Sequence, residues 1–127
     1  MAKKNVGNEI TRYLTAYING VERGMLSARE SISKEAVKKL REKSPKKTGD
    51  YKKGWRVTTE KRGKKIVHNK TDYQLTHLLE FGHANANGGR TPAKVHIRPV
   101  AEEAVEKYIK ETERLIRKWH YKNLIIF

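Results

Sequence analysis

The chain has 127 residues, with 29 Lys and Arg against 14 Asp and Glu, a formal net charge of +15 and a pI of about 10.1. That length suits one domain with a modest core, and the absence of cysteine excludes a disulfide framework and a Cys-based zinc site. No apolar run approaches the ~20 residues of a membrane span and the N-terminus lacks a signal-peptide core, so the expectation is a product made in the cytoplasm that works beside polyanions or acidic surfaces.

Apolar residues at Ile10, Tyr13, Leu14, Tyr17, Ile18 and Val21 recur at helical spacing, and the stripe resumes through Met25, Ala28, Ile32, Val37 and Leu40. Gly20 and Gly24 interrupt it, and Ser27 to Glu30 matches a capping box. One long helix over about 8–43 is favoured over two abutting ones. At ~1.5 Å per residue it reaches about 50 Å, longer than so small a core covers, so part of the stripe is expected to meet another subunit. Ser44-Pro45 ends it, because proline disfavours helical geometry in its predecessor.

Lys46 to Gly54 reads as a polar loop. Trp55, Val57 and Thr59 then alternate with Arg56, Thr58 and Glu60, and Lys65 to His68 returns as a second strand, giving a hairpin over about 55–68. Thr71 to Gln74 is another capping box, opening a short helix over about 72–81 that stops at Gly82. Residues 82–94 form a loop arm of a length that compact domains keep for function or motion. Lys94 to Arg98 alternates as a short strand, and Pro99 suits the first position of a helix over about 99–119. That helix puts Val100, Ala104, Val105, Tyr108, Ile109, Thr112, Ile116 and Trp119 on one face. The tail ends in Leu-Ile-Ile-Phe, apolar enough to want a partner.

The charge is uneven. Residues 34–65 hold 14 basic and 4 acidic residues, a block able to touch phosphates without reading bases, since no helix-turn-helix, RNA-recognition or zinc-finger pattern accompanies it. Its DNA-facing candidates are Lys46, Lys47, Lys52, Lys53, Arg62, Lys64 and Lys65. The five histidines are His68, His77, His83, His96 and His120. Without HExxH or cysteine they read as ordinary histidines, and no metal or cofactor is expected. A toxin-like ribonuclease would use His68 or His96 beside the basic hairpin as general acid or base, but no second catalytic partner is fixed. Gly88-Gly89 lacks the spacing of a phosphate loop.

Several motifs stand in a telling order: Ser44-Pro45-Lys46-Lys47-Thr48-Gly49, a strand, Val67-His68-Asn69 before Asp72-Tyr73, Leu79-Glu80-Phe81-Gly82, then His96-Ile97-Arg98-Pro99. This order resembles the tail-completion, or neck, proteins of long-tailed bacteriophages and prophages, over roughly residues 36–118. His83 and Val95-His96-Ile97 depart from the usual pattern of that family, and the arm is richer in Asn and Gly. The resemblance implies an α+β fold: a small antiparallel sheet packed on long N- and C-terminal helices, with one short middle helix and a projecting loop.

It also implies a non-enzymatic virion protein, made in the host bacterial cytoplasm, that joins head to tail as a homo-oligomeric ring, a hexamer being one candidate. Its partners would be other neck and tail proteins, with non-specific contact to packaged DNA and no membrane. Pro45, Thr48, Gly49, Asn69, Tyr73, Glu80, Phe81, Gly82, Arg98 and Pro99 would then be structural, with Phe81 in the core. His83, Asn85, Asn87 and Arg90 would be subunit contacts. A small non-specific nucleic-acid-binding protein is the alternative, with the ribonuclease behind it.

Overall fold

The computed structural model describes residues 5–45 and 49–124, with side chains up to residue 118. Helix α1 runs unbroken over Val6–Lys43, capped by Asn5, whose side chain accepts the Asn8 N–H at 3.2 Å. The Ser27–Glu30 box starts nothing. Gly24 does not kink the helix either. A Cβ there would sit 2.4 Å from Leu115 Cδ2, so the glycine is where the C-terminal helix comes closest.

The helix ends as proline requires, in extended backbone at Ser44 (ψ 142°). Ser44 is buried, donates its hydroxyl to the Leu40 carbonyl and accepts the Trp55 indole N–H at 2.8 Å. This ties the end of α1 to the first strand. A one-turn helix α2 (Asp50–Lys53) follows where a loop was expected, because Tyr51 turns inward and is buried.

Strands β1 (Trp55–Thr59) and β2 (Lys65–Asn69) pair antiparallel, with Trp55 opposite Asn69 and Thr59 opposite Lys65. A 3-10 turn at Lys61–Gly63 joins them. Helix α3 covers Tyr73–Phe81. Neither Thr71 nor Asp72 caps it as the sequence motif suggested. Asn69 acts there instead: its Oδ1 accepts the Asp72 N–H at 2.9 Å while its Nδ2 donates to the Tyr51 carbonyl at 2.7 Å.

The arm is not structureless. Strands β3 (His83–Ala84) and β4 (Arg90–Thr91) form a minimal antiparallel hairpin. The expected strand at Lys94–Arg98 is absent, and helix α4 starts at Ile97 and runs to Leu124. Pro99 therefore lies inside its first turn, where no intrahelical donor is lost.

The architecture is α+β, two long helices packed against a small antiparallel sheet and a short helix. Helices α1 and α4 run antiparallel: Lys39 meets Glu103, Glu35 meets Lys107, Arg29 Nε donates to Tyr108 Oη at 2.8 Å, and Gly24 meets Leu115. The core is Ala36, Val37, Leu40, Tyr51, Trp55 and Val100, flanked by Val57, Val67, Leu79 and Ile97.

Two apolar faces lie on the surface. On α4 Val100 and Leu115 are buried, whereas Val105, Ile109 and Ile116 are exposed, because α1 covers only the flank carrying Val100, Ala104, Tyr108 and Leu115. On α1, Ile10, Leu14 and Ile18 are 52, 56 and 57% exposed. The core reaches only the C-terminal half of that helix.

Gly82 sits at φ 74°, ψ 176°, a region essentially reserved for glycine. A Cβ there would lie 2.6 Å from the Thr91 carbonyl oxygen and 3.0 Å from the Ala93 nitrogen. Gly82→Ala should therefore cost roughly 1–3 kcal/mol, visible as a lowered urea midpoint at unchanged m-value.

Candidate functional site

The start of α4 presents backbone N–H groups that no residue of its own helix can satisfy. They are met by Glu80, sixteen positions upstream. Its Oε2 accepts from His96 N at 3.1 Å and Ile97 N at 3.0 Å, and its Oε1 accepts from Arg98 N at 3.1 Å. Burial opposes this carboxylate's charge, but the three backbone N–H bonds outweigh it and hold its pKa below the ordinary value.

His96 is 1% exposed. Its Nδ1 lies 2.7 Å from the Lys94 carbonyl, which can only accept, so Nδ1 carries the proton. Nε2 then accepts from the Tyr51 hydroxyl at 2.6 Å. Burial, followed by the Glu80 charge, raises the tyrosine's pKa, keeping it a donor. Tyr51, Trp55 and His96 meet edge to face with centroids 5.5–6.3 Å apart. Glu80 and His96 thus belong to a satisfied structural hub. The His96 ring lies inside the fold with both nitrogens engaged.

The arm grows from this hub. Lys94 N donates to the Leu79 carbonyl at 2.7 Å, closing its base. Polar residues of the arm bond within the hairpin and to its base. Asn85 Oδ1 accepts from Thr91 Oγ1 at 2.8 Å, Asn87 Oδ1 from Gly89 N at 3.2 Å, and the Phe81 carbonyl from the Arg90 guanidinium at 3.3 Å. His83 Nδ1 lies 3.4 Å from the Ala84 carbonyl. Phe81 is not in the core. It is 69% exposed and stacks edge-on with His77 at 6.0 Å, because Glu80 and Leu79 take the inward face of α3. With Tyr73, Leu75 and Leu78, also exposed, it makes an apolar ridge beside the arm.

The basic residues divide. Lys65 is taken up by Glu30 and by Thr59 Oγ1 at 2.7 Å; its hydrogen bond, with that of Lys34, drops the Glu30 pKa to about 2. Lys39 and Lys107 alternate with Glu35 and Glu103 across the α1–α4 seam, lowering the pKa of both carboxylates. Lys34, which also pairs with Glu30 at 2.9 Å, lines one shallow face with Lys38, Arg41, Lys52, Glu42, Val37 and Val57, and there the Arg41 guanidinium donates to the Trp55 carbonyl at 2.8 Å. Lys38 and Arg41 were missed as individual candidates, although the spacing 34, 38, 41 places them on one side of a helix. Lys53, Arg62 and Lys64 are exposed elsewhere. Lys46, Lys47 and Thr48 lie outside the described residues. Pro45 and Gly49 (φ 88°) flank that stretch, and Arg98 is exposed in the first turn of α4.

No group of three or more potential metal ligands occurs among the described residues. Nor is any helix among them long and apolar enough to cross a membrane. A family model, HK97-gp10-like, describing a bacteriophage HK97-gp10 tail component, matches residues 8–82. The chain belongs to this family. It is accordingly a phage tail component, a structural protein of the virion. The match takes in α1, the β1–β2 hairpin, α3 and Gly82, so it includes the capping carboxylate but stops at the arm. No curated protein and no solved structure gives a significant match.

The hub predicts an acid sensitivity. Glu80's folded-state pKa is depressed, so its contribution is complete above the unfolded carboxylate range and is lost as pH falls through the lower, folded value. Glu80→Gln should lose roughly 1.5–3 kcal/mol at neutral pH. In urea titrations at several pH values, the gap from wild type should narrow toward acid.

Proposed function

We infer that this tail component is a neck or tail-completion protein that closes a homo-oligomeric ring around the DNA channel. The observation that carries this reading is the exposed apolar stripe near the start of α1. Ile10, Leu14 and Ile18 are exposed along a helix that extends well past the core, as expected of a surface completed by a neighbour. The apolar ridge on α3 and the arm beside it offer a second contact. Membership of a phage tail-component family supports the same assignment.

The face formed by Lys34, Lys38, Arg41 and Lys52 is the side we assign to the lumen, where it would hold DNA by charge without reading it. This face also favours the second reading, a non-specific nucleic-acid-binding protein. The two separate by dependence on assembly: a ring protein binds duplex weakly as a lone chain.

Electron microscopy of the purified protein, alone or with cognate neck partners, should show rings. A strict monomer that never joins a purified head or tail would sink the assignment. For the lumen face, Lys38→Glu with Arg41→Glu should weaken duplex binding by the assembled protein regardless of sequence. The slope of log affinity against log salt should become shallower by about two.

A further inference from the structure

Between the tip of the β1–β2 hairpin, α1 and α4 lies an open groove of about 670 Å³. Its floor is apolar, formed by Ile32, Ala36, Val67, Val105 and Ile109, and Val105 and Ile109 are 59 and 53% exposed. Lys61, Arg62 and Lys64 stand along one side. Duplex DNA fits such a groove poorly, because an apolar floor offers phosphates nothing. The pattern suits an amphipathic helix, apolar on the face that enters and poor in positive charge.

The N-terminal part of α1 carries one such face. Residues 5–22 carry a single cation, Arg12, against two carboxylates, in a chain with 29 Lys and Arg. Their exposed residues Ile10, Leu14 and Ile18 recur every four positions, the spacing of a groove-binding helix. This segment cannot reach the groove of its own molecule. Leu14 and Ile32 belong to the same unbroken helix, some 27 Å apart at ~1.5 Å per residue.

We propose that the exposed stripe of the N-terminal part of α1 docks into this groove on the next copy of the chain, head to tail. The proposal rests on the ring reading above and names the contact that would build it. A groove on one surface and a helix on another make a heterologous interface, which closes into a ring when its rotation allows. The contact sets Leu14 and its neighbours over Val105 and Ile109, with the cationic side of the groove facing a segment that carries little positive charge.

The chain has no cysteine, so single-cysteine variants are clean probes. Ile10→Cys, Leu14→Cys and Ile18→Cys would each be mixed with a separate Ile109→Cys chain and treated with a short bis-maleimide. At least one mixture should yield a cross-linked dimer, and no variant should do so alone. Leu14→Asp changes an exposed residue, so it should keep the wild-type far-UV spectrum and melting temperature while weakening self-association at least tenfold by analytical ultracentrifugation. Rings formed normally by Leu14→Asp, or a Leu14→Cys chain that cross-links to itself, would overturn the head-to-tail contact and leave the ring reading standing. Wild-type protein that forms no ring with its neck partners, together with cysteine mixtures that give no cross-link, would overturn both.

Discussion

One carboxylate organises this molecule. The first turn of α4 needs acceptors for its free N–H groups, and the local sequence at Val95-His96 offers no capping side chain. Glu80 supplies them from the end of α3. The same residue neighbours His96, which bonds Tyr51, which lies in the core with Trp55. Trp55 in turn reaches back through Ser44 to the end of α1. A single chain of hydrogen bonds and one aromatic edge contact, Tyr51 on Trp55, therefore runs from α4 through α3 and the core to α1. Polar side chains buried this deeply are tolerated because each is satisfied.

The outer skeleton was legible in the sequence. Helical periodicity, Ser44-Pro45, the alternation of Trp55–Thr59 and the Gly82 stop are local signals, and each marks an element the structure contains. What stayed hidden depends on contacts distant in sequence. The start of α4 at Ile97 is set by Glu80 rather than by Pro99, and no local motif announces a cap borrowed from another helix. The start of α3 is likewise organised by Asn69, not by Thr71. Phe81 reads as a core residue because it is aromatic at the end of an apolar run. Only the inward turn of Glu80 reveals that it must point out. The exposed stripes on α1 and α4 have the periodicity of buried ones, since periodicity shows that a face is apolar but not what covers it.

Charge is segregated along the chain. Residues 71–89 contain no Lys or Arg, whereas residues 34–65 contain 14. The cation-free stretch forms α3 and most of the arm; the basic block forms the end of α1, α2 and the hairpin. The basic block thus carries +10 of the net +15 and most of the self-repulsion, leaving α3 better able to approach another protein. Ion pairs across the α1–α4 seam neutralise the cations that packing would otherwise bring together.

The closed base of the arm has a further consequence. With Lys94 bonded to Leu79 and α4 pinned by Glu80, the two ends of residues 82–94 are held together by the scaffold, whatever lies between them. The entropy of closing a flexible segment grows only logarithmically with its length, so doubling the tip would cost about 0.6 kcal/mol. The tip can thus lengthen, shorten or change composition across evolutionary time while the helices and the hub stay as they are. A scaffold of this kind can change the partner it meets without having to relearn how to fold.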